Sequence, residues 1–380
     1  MRVTGYAYPW DVLEAPGFTD RAEELGLAEV AVAVSYHSTR AATPWSDRRT
    51  AVLARHAALY RPVRARAWEG ARLRPGVPDW AGVPDSAGDA VRALGAAGVP
   101  ASAWVVLTHN SRLGTEFADV AVHNCFGEPY PWALCPARQE VRDYAATLTA
   151  ESLDGLDLTS VVLEACGQLG VLHQCHHEKT DAVWSPAVAR LLSVCCCAAC
   201  AVLWAEAGWD ADEVRGLLRA EIRHLMAEAD LTGTEDALSP ELHELLLDTR
   251  QRSTGALRRA VLAEIPGDPM VVLHGAVDPW VTGALPGITP GAAEDADSVV
   301  LQCWQPGDRS LAAVATARAA LSSTVDVGAY VTAVGPQRVP DLGGYVAELG
   351  KAGAAQLHLY HLGLAGPARW PDLRAAIPRE

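Results

Sequence analysis

The sequence predicts an α/β chain folded as a closed (β/α)₈ TIM barrel with a helical insertion after strand 4. Eight short apolar stretches recur along it, each followed by a polar or aromatic loop and then an amphipathic helix, the alternation that produces parallel connections. Continuous runs such as EVAVAV and SVVL suit strands buried on both faces. A length of 380 residues holds one such barrel with insertions. A doubly wound open sheet is the alternative, but TGYAYPW after strand 1 lacks the glycine spacing of a dinucleotide site.

The strands are expected at Val3–Tyr8, Glu29–Ser35, Ala101–Leu107, Leu158–Leu163, Met270–Leu273, Ser298–Leu301, Asp326–Val331 and Ala355–Leu359. Helices are expected at Thr19–Leu25, from Ser46 or Asp47 to about Ala58, at Ala87–Ala97 and at Arg138–Glu151. Thr19 or Asp20 supplies the first with a cap. Residues 184–265 read as about three helices broken at Gly208, at Thr232–Thr234 and at Pro240, an insertion within one domain spanning 1–380.

Composition excludes some functions. The net charge is −15, and no Lys/Arg-rich run is present, so a nucleic-acid partner is not expected. The start, MRVTGYAYPW, has no apolar core of a signal peptide. The longest strongly apolar run, near Val194–Trp204, falls short of the roughly 20 residues a membrane helix needs. The expectation is a cytoplasmic protein with no membrane partner, whose nine cysteines are thiols or metal ligands rather than disulfides. Oligomeric state is not legible.

Barrel chemistry sits at the C-terminal ends of the strands. Those ends carry Tyr8, Trp10, Tyr36, His37, Arg40, His109, Asn110, Glu164, His274, Asp278, Gln302, Trp304, Tyr330, Tyr360 and His361. Aromatic faces beside uncharged hydrogen-bonding groups suit a neutral polyhydroxylated ligand, a sugar or oligosaccharide. A phosphorylated one would call for more than Arg40. Glu164 follows the apolar VVL run at the mouth of strand 4, where burial favours the protonated form a general acid needs. Glycoside hydrolysis calls for a second carboxylate. Asp278 is the first choice; Asp11, Glu128, Glu178 and Asp308 are weaker ones. The loop with His173, Cys175, His176, His177, Glu178 and Lys179 has no zinc-ligand spacing, and His177–Lys179 is expected to cover the ligand.

Cys195, Cys197 and Cys200 are open to two readings. A free cysteine packs as a small hydrophobe. Cys197-x-x-Cys200 also has a spacing that grips a structural zinc ion, whose fourth ligand would come from elsewhere, such as Cys175 or a loop histidine. Redox chemistry lacks a thioredoxin-like context. No cofactor is expected for catalysis.

The segment Asn124-Cys125-Phe126-Gly127, then Leu134-Cys135-Pro136 and Arg138, Glu140, Val141, Arg142, Asp143 and Tyr144, precedes VVLEACG and the Cys-x-Cys-x-x-Cys element. In order and spacing, residues 120–205 resemble uncharacterised glycoside-hydrolase-like barrel proteins of the retaining-hydrolase superfamily. The resemblance implies a TIM barrel with Glu164 in the acid/base position at the end of strand 4. It departs at strand 7, where VDVGAYVTAVGP has no glutamate nucleophile, and at strand 4, where Leu163 rather than Asn precedes Glu164. The leading expectation is a glycoside hydrolase-like enzyme acting on a neutral glycoside or oligosaccharide. The alternatives are a metal-dependent sugar isomerase or epimerase using His37, His109, Glu164, His274 and Asp278, and a non-catalytic carbohydrate-binding barrel.

Overall fold

Eight parallel strands close on themselves in a computed structural model of the chain, which describes residues 1–173, 179–180, 182–335 and 338–378. They are β1 (Arg2–Ala7), β2 (Glu29–Tyr36), β3 (Ala101–Val106), β4 (Ser160–Glu164), β5 (Met270–His274), β6 (Ser298–Gln302), β7 (Asp326–Thr332) and β8 (Gln356–Tyr360). Each pairs with its sequence neighbours, and β1 closes the ring by pairing with both β8 and β2. The fold is the expected (β/α)₈ barrel.

Side chains alternate between the barrel interior and the helical ring, as the two-residue period of a strand dictates. The interior here is unusually polar. At the N-terminal end, the buried Glu29 carboxylate accepts from Arg2 Nη2, Thr4 Oγ1 and Ser160 Oγ, each at 3.0 Å, and from the Thr159 hydroxyl. That many donors offset the cost of burying a charge. Nearer the mouth, the interior is filled by Tyr6, Trp104, His274, Tyr330 and His358, all buried. Gly328 on β7 makes this filling fit: a Cβ there would stand 3.0 Å from His358 Cδ2 and 2.9 Å from Val300 Cγ2.

The expected helix from Ser46 to Ala58 is not formed. Thr39–Ala42 and Ala51–Ala54 pair as an antiparallel hairpin. Alanine, arginine and leucine favour a helix, but burial alternates along the second strand: Val52 and Ala54 face inward while Leu53 is exposed. Side-chain burial at a two-residue period overrides helix propensity here.

Residues 184–265 of the β4–β5 connection form four helices, Pro186–Leu192, Ala198–Glu206, Ala211–Ala227 and Pro240–Leu262, rather than three. Pro240 opens the last one, as a proline at a first helical position should, instead of breaking it. The additional break falls at Ser193–Cys197, so Cys195 and Cys196 lie in a connection and Cys197 caps the following helix. Among the described residues, no helix is long and apolar enough to cross a membrane.

Candidate active site

Glu164 is the last residue of β4, and the chain turns sharply behind it. Ala165 adopts a left-handed backbone (φ 52°), which costs a β-carbon-bearing residue on the order of 1 kcal/mol. The turn is held by Ala165 N–H donating to Ala284 O at 2.8 Å and by Thr108 Oγ1 meeting the carbonyls of Ala165 and Gly167. The Glu164 side chain therefore points into the barrel. Its Oε2 accepts from Trp104 Nε1 at 2.8 Å and lies 3.4 Å from His274 Nδ1.

From His274 a chain of contacts descends the barrel. His274 Nε2 lies 2.9 Å from the Tyr6 hydroxyl, which lies 3.0 Å from His358 Nδ1. His358 Nε2 meets Gln356 Oε1 at 3.2 Å, and Gln356 Nε2 donates to Asp326 Oδ2 at 2.9 Å. Burial holds the Tyr6 phenol well above its ordinary value, with the Glu164 and Glu29 charges adding to the effect. Burial also pushes the His358 imidazole down to about 3, so both groups are neutral at physiological pH.

Aromatic rings pack around Glu164. Tyr8 stacks on Trp10 at 4.5 Å and meets His361 at 4.4 Å, and Tyr36 stands edge-on to Trp104 at 4.7 Å. Trp304 stacks on Tyr360 at 5.2 Å, and Tyr330 packs against Tyr6 and His274. A second wall is built of imidazoles. His37 stacks on His109 at 4.2 Å, His109 Nε2 lies 3.0 Å from His173 Nε2, and His173 stacks on Trp132. Burial lowers the pKa of both His37 and His109. Six buried polar atoms in this shell have no hydrogen-bond partner among the described residues: Trp10 Nε1, His274 Nδ1, Trp304 Nε1, the Tyr330 hydroxyl and both nitrogens of His361. Unpaired buried donors and acceptors cost roughly 1–3 kcal/mol each, so stability alone does not account for their concentration.

Thus Tyr8, Trp10, Asp11, Tyr36, His37, His109, Glu164, His274, Trp304, Tyr330, Tyr360 and His361 converge. Several other expected residues do not. Asn110 caps the helix Ser111–Glu116: its amide oxygen accepts from Leu113 N–H and its nitrogen donates to Tyr144, which uses both ends. Arg40 and Gln302 are exposed, Arg40 on the hairpin. Lys179 is exposed, and His177 and Glu178 lie outside the described residues. Asp278 is exposed, and its carboxylate accepts from Trp280 N–H at 2.9 Å rather than turning to Glu164. Glu128 and Asp308 are exposed as well.

Asp11 is the second carboxyl buried at the mouth. Its Oδ2 accepts from Tyr8 N–H at 2.8 Å and lies 3.7 Å from His361 Nδ1. Burial pushes its pKa up to about 8. Tyr6, Trp104, His358 and Trp132 were not expected at the site. Their signal was parity: Tyr6 is two residues before Tyr8 and His358 two before Tyr360, so each pair shares one face of its strand.

A third group lies behind the imidazole wall. The sulfurs of Cys135, Cys195, Cys197 and Cys200 are all buried and lie within 4.8 Å of one another. Cys135 completes the set that the sequence left short of a fourth member.

No protein-family model matches the chain, and no curated protein matches its sequence. Solved structures do match its fold. The PgaB (BpsB) glycoside hydrolase domain from Bordetella bronchiseptica is 14% identical, with 100% of this chain and 99% of that one covered and a TM-score of 0.59. The catalytic domain of a β-amylase from Paenibacillus polymyxa is 10% identical, covering 99% and 97%, with a TM-score of 0.57. An α-L-fucosidase isoenzyme 2 from Paenibacillus thiaminolyticus is 11% identical with a TM-score of 0.56, and there the chain, 99% covered, spans about half (49%) of the larger protein. These likenesses define a glycoside-hydrolase-like TIM-barrel fold.

Proposed function

We propose that this chain is a glycoside-active enzyme that hydrolyses a neutral glycoside or oligosaccharide, with Glu164 as its general acid. The observation that carries the reading is the setting of Glu164. A carboxyl at the end of β4 is held between an indole N–H and an imidazole, inside a shell of aromatic rings bearing unpaired polar atoms. Aromatic faces suit sugar rings, and the unpaired donors and acceptors suit hydroxyl groups. In the proposed reaction, Glu164 gives its proton to the departing glycosidic oxygen as the bond to the anomeric carbon breaks. Water attacks that carbon and loses its proton to a base.

Asp278 is a poor base, being exposed and committed to Trp280. Asp11 with His361 is the better pair. Both are buried beside Tyr8, and a neutral imidazole oriented by a carboxyl can take the proton from water. No cofactor enters these steps. The isomerase alternative is disfavoured by geometry. Among the described residues, no three His, Asp or Glu side chains at the mouth bring ligand atoms together as a metal site requires.

A non-catalytic sugar-binding barrel is the second reading. It is favoured by the end of β7, where Tyr330 and Thr332 stand and no carboxylate does. One experiment separates the two. A panel of neutral aryl glycosides and oligosaccharides is tested for turnover and, by calorimetry, for binding, on wild type and Glu164→Gln. The enzyme reading expects wild-type turnover lost in the variant, with binding and fold retained. Binding by the wild type without turnover, or full turnover by the variant, sinks it.

A further inference from the structure

We propose that Cys135, Cys195, Cys197 and Cys200 bind one structural zinc ion that fastens the loop before β4 to the insertion after it. The sulfur positions argue for this first. Cys135 Sγ lies 3.5 Å from Cys195 Sγ, 3.7 Å from Cys197 Sγ and 3.8 Å from Cys200 Sγ, and Cys197 and Cys200 are 3.9 Å apart. A tetrahedral zinc with bonds of about 2.3 Å separates its sulfurs by about 3.8 Å. A disulfide would need about 2.05 Å. An iron–sulfur cluster would have to fit its own irons and sulfides between thiols already at van der Waals distance.

Local backbone geometry agrees. Cys197 is the N-cap of the helix Ala198–Glu206, and Cys200 stands in its first turn, so both sulfurs reach the same point. Cys196, between two ligands, turns its thiol to Val194 O instead and donates its own N–H to His123 O at 2.7 Å. The run of three cysteines is thus sorted by direction: two sulfurs inward and one away.

Charge gives an independent argument. Arg250 on the helix Pro240–Leu262 is buried within electrostatic reach of Cys195 and Cys200. Among the described residues, its guanidinium donates only to main-chain carbonyls, Trp280 O at 2.6 Å and Ser193 O at 3.5 Å. Asp278, a carboxylate that acts on it electrostatically, is exposed. Beside four neutral thiols such a buried cation is poorly compensated. Beside a zinc tetrathiolate, with its two net negative charges, it is compensated.

The ion would reach the imidazole wall through Cys135. That residue follows the hairpin strand Pro129–Leu134, which carries Trp132. Trp132 donates to Gly170 O at 2.9 Å and stacks on His173, and Tyr130 donates to Leu192 O at 2.9 Å. The proposed zinc anchors the same two segments from below.

The test is elemental analysis of the wild-type chain, purified without added metal, with a parallel count of reactive thiols under denaturing conditions. One zinc per chain is expected, lost on chelation together with a fall in melting temperature. Exchange with cobalt should give the intense thiolate-to-cobalt absorption and the visible bands of a tetrahedral site. Cys197→Ser should lose the metal. Should that variant fail to fold, the wild-type stoichiometry and cobalt spectrum still decide. Metal-free protein with all four thiols free and an unchanged melt on chelation, iron in place of zinc, or cysteines recovered as disulfides would each overturn the proposal.

Discussion

Tyr6 and His274 are separated by 268 residues, yet the Tyr6 hydroxyl lies 2.9 Å from His274 Nε2 across the barrel interior. This contact gives the interior chain a direction. The Asp326 carboxylate can only accept, so Gln356 donates to it and turns its amide oxygen to His358. Neutral His358 then carries its proton on Nε2 and accepts from Tyr6 at Nδ1. Tyr6, having given its proton downward, accepts from His274 Nε2. The Nδ1 lone pair of His274 is left facing Glu164, and that 3.4 Å contact closes as a hydrogen bond when one proton lies between them. A polar chain ending far from the mouth thus fixes which nitrogen of His274 faces Glu164.

Tyr6→Phe should therefore release the orientation of the His274 ring. Without the hydroxyl, His274 is free to carry its proton on Nδ1, and its lone pair no longer faces Glu164. Activity at neutral pH is expected to fall on the order of 10-fold, with substrate binding unchanged. An unchanged kcat in the variant would show that Tyr6 only fills space.

Trp104→Phe removes the indole N–H that donates to Glu164 Oε2 and keeps most of the ring. Losing one donor to a buried carboxyl costs about 1–3 kcal/mol. Because that donor stabilises the carboxylate left after proton transfer, kcat should fall while substrate binding changes little. Single-turnover and binding measurements separate the two; a rise in KM with unchanged kcat would place Trp104 in substrate contact instead.

How much of this was legible follows from what sequence patterns encode. Apolar runs at regular spacing announced the barrel because buried parallel strands are continuously hydrophobic. Glu164 was legible because a carboxylate ending VVL breaks such a run. The contacts it makes were not, although His274 stood among the strand-end candidates. His274 and Trp104 reach Glu164 only through closure of the ring, and Asp11 was outranked by Asp278 because exposure cannot be read from position after a strand. The same limit hid Cys135, which lies 60 residues before Cys195.

Gly328→Val tests the packing that holds the interior chain. A Cβ at this glycine would meet both His358 and Val300, at 3.0 and 2.9 Å. A branched side chain there must push the imidazole from Gln356 or distort β6. Overpacking of this kind costs about 1–3 kcal/mol. Urea denaturation should report that loss, and Gly328→Ala a smaller one. A Val variant as stable as wild type would mean that His358 has room to move and that the chain is not rigidly held.

Stability should peak near pH 6.5 and fall on both sides, for two separate reasons. The His358 imidazole titrates at about 3 in the fold against 6.5 ordinarily, so below pH 6.5 the unfolded chain binds the extra proton and stability drops as pH falls. Asp11 and His361 must be taken together. The Asp11 carboxyl is raised from 3.8 to about 8 and the His361 imidazole lowered from 6.5 to about 3, both chiefly by burial. Between roughly pH 4 and 6.5 the folded pair holds one proton and the unfolded pair holds one, on His361, so their contributions cancel. Above 6.5 the unfolded pair holds none, while the folded pair keeps its proton until about pH 8. Each limb therefore has a slope of about 1.4 kcal/mol per pH unit. Denaturation midpoints from pH 4.5 to 8.5 measure both. Asp11→Asn should flatten the alkaline limb and steepen the acid one, because His361 then titrates uncompensated beside His358, whereas His358→Gln should flatten the acid limb and leave the alkaline one. A wild-type alkaline limb that is flat would mean that Asp11 is ionised in the fold at neutral pH, and its pairing with His361 would then be that of a carboxylate with a neutral imidazole.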